Sequence, residues 1–123
     1  MCGDVRFEMN GPLRSVFNCH CHRCRRFTGH HMAATQTHPD DLVITAGDSL
    51  RWYQPDHNVA YGFCPRCGSS LFWRATDRPD GISIMAGSLD QPTGLQTTHA
   101  WWMAEHGDYH TQAPDLIEHH YED

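Results

Sequence analysis

Residues 18–26, NCHCHRCRR, carry three cysteines at the spacing C-x-C-x-x-C. The three thiols belong to Cys19, Cys21 and Cys24 and therefore lie on one short loop. A structural zinc site usually has four ligands arranged as a tetrahedron. Three thiols on one loop therefore either need a fourth ligand from elsewhere in the chain or leave one metal position open.

A cysteine pair further along the chain has the spacing of half a structural zinc site. Residues 62–74 read GFCPRCGSSLFWR and place two residues between Cys64 and Cys67. Two intervening residues allow a tight turn, and Gly68 lets the backbone fold beneath a metal so that amides face sulfur. The pair is therefore predicted to bind zinc, and Cys2 is the remaining cysteine of the chain.

The six cysteines can be grouped in two ways. In a single four-cysteine ribbon the ligands are Cys21, Cys24, Cys64 and Cys67, although the gap between the pairs exceeds the ~15–20 residues of the common pattern. In the alternative, Cys2 joins Cys64 and Cys67, while Cys19, Cys21 and Cys24 form a separate three-thiolate site. The second grouping uses every cysteine and leaves one metal position open, which is typical of catalytic zinc.

Composition restricts the class of protein. The 123 residues fit one domain, 1–123, and the formal net charge of -6 argues against a nucleic-acid partner. No apolar run reaches the ~20 residues that cross a bilayer, and no signal peptide is recognisable at the start, so a cytoplasmic protein without a membrane partner is expected. Cysteines in a reducing compartment favour metal binding over disulfides.

The apolar pattern predicts an all-β domain of short strands. Alternating apolar residues and β-branched or aromatic runs, separated by glycine- and proline-containing turns, indicate strands. The predicted strands are residues 5–9, 42–45, 49–54, 58–63, 70–74, 82–86 and 99–103. Short helical turns are expected only at residues 22–27 and in DLIEHHY at residues 115–121.

The sequence resembles the glutathione-dependent formaldehyde-activating family, whose domain is shared with centromere protein V. Five blocks carry the resemblance, and they are CGDVRFEMNGPL, NCHCHRCRRFTG, GFCPRCGSSLFWR, ISIMAGSLDQPTGL and HGDY. The resemblance implies an all-β, zinc-containing β-tent of short antiparallel strands. It also implies a structural zinc held by an N-terminal C-x-C together with the C-x-x-C, and a second zinc on the C-x-C-x-x-C, where a thiol such as glutathione enters.

The family pattern can be carried over residue by residue. Cys64 and Cys67 match the structural pair, and Cys2 matches the second cysteine of the N-terminal C-x-C. Cys19, Cys21 and Cys24 match the active-site triplet. The first cysteine of the N-terminal pair would fall one residue before Met1. We therefore expect either a natural chain that begins earlier or a structural zinc whose fourth ligand is not a cysteine.

The predicted function is that of a zinc-dependent carbon–sulfur lyase-like enzyme acting on a small thiol adduct such as S-hydroxymethylglutathione. Zinc favours the deprotonated form of a bound thiol, and the resemblance implies that this thiol is glutathione and that the triplet is the catalytic site. Arg25, Arg26 and Arg66 are predicted to attract substrate carboxylates, and ordinary surface charge is the alternative for them. The alternative function is a non-catalytic zinc-binding interaction module.

The histidines and aromatic residues are predicted mainly to lie at the surface, beside the pocket or in the core. His20 and His22 are expected to point away from the thiols, whereas His30 and His31 are candidates for lining the pocket or supplying a ligand. A single histidine is more often a partly exposed polar residue, and His119 and His120 are predicted to lie at the surface. Six aromatic residues are predicted to belong to the core: Phe17, Phe63, Phe72, Trp73, Trp101 and Trp102.

Overall fold

Short strands dominate the computed structural model, which describes residues 1–122. The strands are β1 Arg6–Met9, β2 Val16–Cys19, β3 Met32–Thr37, β4 Leu42–Ala46, β5 Arg51–Tyr53, β6 Val59–Phe63, β7 Ser70–Ala75, β8 Ile82–Met85, β9 Thr97–Trp101 and β10 Ile117–Glu118. The α-helix α1 is His22–Thr28, and 3₁₀ turns cover Pro39–Asp41, Ala86–Ser88 and Met103–Glu105. The predicted all-β class is confirmed.

Eight of the strands form one sheet in the order β10-β9-β2-β3-β8-β7-β6-β5, and β1 pairs with β4 in a separate two-stranded sheet. From β2 to β5 every pair in the large sheet is antiparallel, as predicted. At the other edge, β9 pairs in parallel with both β2 and β10. No hairpin connects β2 to β9, so no tight turn imposes the antiparallel direction on this pair.

Each cysteine group rests on its own apolar cluster. Cys64 is buried at 2% exposure and packs with Leu71, Phe72 and Ile84, of which Phe72 and Ile84 are fully buried. Cys24 is also buried at 2% exposure, and it packs with a different set: Met32, Ala34, Tyr61 and Met85. The two groups of thiols are therefore held by separate parts of the core.

Local sequence explains where α1 begins and ends. The Cys21 side chain caps the first turn by accepting a hydrogen bond from the Cys24 backbone amide. Gly29 ends the helix with a φ of 85°, a left-handed conformation that glycine adopts without strain, and its amide donates to the Arg25 carbonyl. The predicted helical turns at residues 22–27 are confirmed.

The predicted helix at residues 115–121 is wrong. Ile117–Glu118 is instead strand β10, which pairs with β9. The His119 amide donates to the Ala100 carbonyl at 2.8 Å, and the His119 ring stacks on Trp101 with centroids 3.8 Å apart. Tertiary contacts with β9 therefore override the local helical pattern.

Strands β2 and β3 were absent from the predicted set. β2 runs directly into the cysteine loop, and β3, with the sequence MAATQT, lacks the large apolar residues that mark a strand.

Across residues 1–122 no helix has the length and apolar character needed to cross a membrane.

Candidate metal centres

The first thiol group consists of Cys2, Cys64 and Cys67, whose sulfur atoms lie within 4.8 Å of one another. Cys2 Sγ is 3.7 Å from Cys64 Sγ. Zinc–thiolate bonds of about 2.3 Å in a tetrahedron place two sulfurs about 3.8 Å apart. The observed spacing of this pair therefore fits a zinc ion without rearrangement.

The C-x-x-C turn has the backbone geometry expected for a metal-binding loop. The Gly68 amide donates to the Cys64 carbonyl at 2.7 Å, and Gly68 has a φ of 79°. The Ser69 hydroxyl lies 3.1 Å from Cys67 Sγ. This contact, with backbone amides of Cys2 and Ser69, lowers the pKa of the Cys67 thiol to about 5. At least one thiol of the group is therefore ready to bind a cation at neutral pH.

The second thiol group brings together the end of a strand and the first turn of a helix. Cys19 ends β2, Cys21 caps α1, and Cys24 lies inside the first turn, with all three sulfurs within 4.8 Å. The Cys24 amide donates to Cys21 Sγ at 3.3 Å. Hydrogen bonds from the Cys19 and Cys24 thiols, together with backbone amides, lower the pKa of Cys21 to about 3. The loop thus stabilises negative charge on sulfur.

The structure decides between the two groupings of the cysteines. The six thiols form two groups of three, and all six are free of disulfides. The four-cysteine ribbon is therefore wrong, because Cys21 and Cys24 lie with Cys19 and not with Cys64 and Cys67. Soft thiolates in a compact set are the ligands that zinc prefers, so both groups are compatible with zinc.

A cavity of about 560 Å³ opens over the second group, and Cys19, Cys21 and Cys24 all contribute to its wall. Tyr61 also lines the cavity, with its hydroxyl 3.4 Å from Cys24 Sγ. Burial raises the pKa of Tyr61 above its usual range, so the hydroxyl keeps its proton and can donate to the sulfur. The first thiol group contributes no residue to this cavity.

Four aromatic residues predicted for the core line this cavity. They are partly exposed, in contrast to the fully buried Phe72, and they are Phe17, Trp73, Trp101 and Trp102. Trp73 also packs against the buried cluster around Cys24, as the core prediction requires. Strand spacing shows which residues share a face but not whether that face is covered, so the cavity has no signal in the sequence. The Trp101 indole nitrogen is buried and has no hydrogen-bond partner within residues 1–122.

The arginines that line the cavity are not the ones that the sequence predicts for substrate binding. The cavity is lined by Arg14, Arg23 and Arg78. Arg25 Nε donates to the Glu105 carbonyl at 2.9 Å and Arg26 is exposed, and neither lines the cavity. Sequence proximity to the thiols could have pointed to Arg23, whereas only the fold brings Arg14 and Arg78 to the site.

Arg66 lies at the first thiol group. It forms an ion pair with Asp4 at 3.2 Å. Arg66 does not line the cavity, and its charge acts near Cys2 instead.

The histidines near the cysteine loop fall into two sets, one that lines the cavity and one that does not. His22, which is predicted to point away from the thiols, is among the residues that line the cavity, and its backbone amide donates to Glu105 at 2.7 Å. His20 is buried, does not line the cavity and meets His31 and His110, with ligand atoms within 4.8 Å. Burial, followed by neighbouring histidines, lowers the pKa values of His20 and His31 to about 4. His110 had no signal in the sequence, because only the fold brings it here.

Comparison with known proteins gives one family and one fold. Residues 1–105 match the family described as glutathione-dependent formaldehyde-activating enzyme. No curated protein matches the chain. A crystal structure of a Rhodobacter sphaeroides protein is similar with a TM-score of 0.62 and 24% identity, covering 79% of this chain and 94% of that chain. At this identity the similarity supports the fold alone.

Proposed function

We propose, because this chain belongs to the glutathione-dependent formaldehyde-activating family, that it is a zinc-dependent carbon–sulfur lyase-like enzyme. Its proposed substrates are glutathione and formaldehyde in one direction and S-hydroxymethylglutathione in the other. The observation that carries the proposal is that Cys19, Cys21 and Cys24 all line one cavity and hold their sulfurs within 4.8 Å of one another.

The residues of the second thiol group are suited to a metal with an open position. A zinc ion held there would supply one free coordination site at which a substrate thiol is bound as its thiolate. Tyr61 adds a hydrogen bond to Cys24 and thereby offsets part of the negative charge that three thiolates concentrate. The first thiol group, which rests on the core and contributes no residue to this cavity, is proposed as the structural zinc site.

The cavity also has the size and charge for a tripeptide. A volume of about 560 Å³ lies within the roughly 300–1,000 Å³ of small-molecule sites. Arg23 and Arg78 are already paired, at 2.7 Å with Asp56 and 2.5 Å with Glu122. Within residues 1–122 no carboxylate pairs with Arg14, so we propose it as the cation that meets a glutathione carboxylate.

Arg14 is held in place for this role by contacts that do not neutralise its charge. Its guanidinium lies 3.7 Å from the Phe17 ring centroid and donates to the Ala34 carbonyl at 3.0 Å. Burial lowers the pKa of Arg14 to about 10, so the side chain is still a cation at neutral pH. A fixed, partly desolvated guanidinium forms stronger bonds to a carboxylate than a solvated one.

The proposed reaction forms or breaks a single carbon–sulfur bond. In the forward direction the glutathione sulfur attacks the carbonyl carbon of formaldehyde and the C=O π bond opens. The oxygen takes up one proton, which balances the proton that the thiol released. In the reverse direction that hydroxyl loses its proton as the bond breaks. The aromatic wall formed by Phe17, Trp73, Trp101 and Trp102 limits water around the reacting atoms.

Exchange spectroscopy by NMR tests this function. The zinc-loaded protein is expected to accelerate the interconversion of glutathione plus ¹³C-formaldehyde with S-hydroxymethylglutathione, with a rate proportional to protein concentration. The uncatalysed rate in the same buffer and the rate with EDTA-treated protein are the controls. A zinc-loaded, folded protein that leaves the exchange rate unchanged would favour the alternative of a non-catalytic zinc-binding module.

A further inference from the structure

We propose that His20, His31 and His110 form a third metal site, distinct from both thiol groups, that takes a divalent ion of the zinc type. Each histidine offers one ring nitrogen, and the three ligand atoms lie within 4.8 Å of one another. Imidazole is a preferred ligand of zinc and similar transition metals, and three imidazoles with one water complete a tetrahedron.

Two of the three histidines have buried ring nitrogens that lack any partner. These atoms are Nε2 of His20 and Nδ1 of His31, neither of which has a hydrogen-bond partner within residues 1–122. The His20 side chain is only 1% exposed, so water does not solvate it freely. Buried polar atoms without a partner are rare in folded proteins and need an explanation, and an ion between the rings supplies one.

His110 is oriented by a contact outside the cluster. Its Nε2 lies 2.8 Å from Gln112 Oε1, a carbonyl oxygen that can only accept. Nε2 therefore carries the proton, and Nδ1 keeps the lone pair that a metal requires. Metal-binding histidines commonly donate their second ring nitrogen to a carbonyl or carboxylate in this way, which fixes the tautomer.

The three ligands come from separate parts of the chain. His20 lies between β2 and α1, His31 immediately precedes β3, and His110 follows the turn Met103–Glu105. Cys19 and Cys21 face the cavity, while His20 between them is buried among the histidine rings. An ion here would tie the C-terminal segment to the reverse side of the loop that carries the second thiol group.

Zinc counting on matched variants tests the site. After saturation with Zn²⁺ and gel filtration, the wild-type chain is expected to retain about three zinc ions. His31→Asn and His110→Asn are each expected to retain about two, because one of three ligands is lost. His57→Asn, an exposed histidine outside the cluster, is the control and is expected to retain the wild-type number. A wild-type protein that retains only two ions, or variants that retain three, would overturn the proposal.

A measurement on the wild-type protein covers the case in which the variants fold poorly. Long-range ¹H–¹⁵N spectra report each histidine ring, and the third equivalent of Zn²⁺ should shift the ring nitrogens of His20, His31 and His110. The ring of His57 should not shift. Unchanged ring signals from the cluster throughout the titration would exclude metal binding there.

Discussion

Cys64→Ser is expected to unfold the protein or to lower its melting temperature by more than about 10 °C. Cys64 is buried against Phe72 and Leu71 and supplies one of three thiols in its group. In small zinc domains the free energy of metal binding is also free energy of folding, so losing a ligand removes several kcal/mol. For a domain of 123 residues, with an unfolding entropy of about 2.1 cal/mol/K per residue, ~1 kcal/mol changes the melting temperature by roughly 4 °C. Thermal melts followed by circular dichroism, with zinc counted before each melt, measure the effect.

Two further experiments test whether the loss of stability in Cys64→Ser comes from losing the metal. Cys67→Ser should lower the melting temperature in the same way, because it removes another ligand of the same group. Treating the wild-type protein with a chelator should reproduce the loss without any change in sequence. A Cys64→Ser protein that melts within a few degrees of wild type and still holds its full zinc content would contradict a structural role for this group.

Cys21→Ser is expected to lower glutathione-dependent turnover by at least about 100-fold while the fold is retained. The variant removes one of the three thiols that face the cavity, and with it the proposed binding of the second zinc. Serine is among the best residues at a helix N-cap, so its hydroxyl can still accept the Cys24 amide and preserve α1. The exchange rate and the melting temperature are measured on the same preparation.

The comparison of Cys19→Ser with Cys21→Ser tests the grouping as well as the function. Both variants belong to one thiol group, so both should lose turnover and both should melt near the wild-type temperature. In a four-cysteine ribbon, Cys19→Ser would have almost no effect and Cys21→Ser would destabilise the protein as much as Cys64→Ser. A destabilised Cys21→Ser beside an unaffected Cys19→Ser would therefore contradict the two-group arrangement.

Much of the sheet could be predicted because its strands carry local signals. Residues 58–63, 70–74 and 82–86 combine aromatic or β-branched residues with turns on both sides, and they correspond to β6, β7 and β8. β3 could not be found in this way, since its alternation of Ala, Thr and Gln gains its burial only from its neighbours β2 and β8. The parallel pairing of β2 with β9 joins distant parts of the chain and leaves no local mark on the sequence.

The candidate sites show the same division between local and long-range information. The spacing within residues 19–24 and 64–67 reveals both metal-binding loops, because each loop is local. The spacing alone left the assignment of Cys2 open, and the structure places it beside Cys64. Arg14, Trp101 and His110 acquire their roles only when distant elements meet, and no pattern in the sequence marks them as neighbours of the cysteine loop.

Calorimetric binding of glutathione and S-methylglutathione to the zinc-loaded protein tests whether the second thiol group binds a substrate thiol. The two ligands share their carboxylates and ammonium group, but only glutathione has a thiol that can bind an open metal position as its thiolate. We predict that glutathione binds at least about tenfold more tightly than S-methylglutathione, and that Cys21→Ser removes this difference. Equal affinity of the wild-type protein for both ligands, or a preference for glutathione that persists in Cys21→Ser, would contradict a thiol-binding site at Cys19, Cys21 and Cys24.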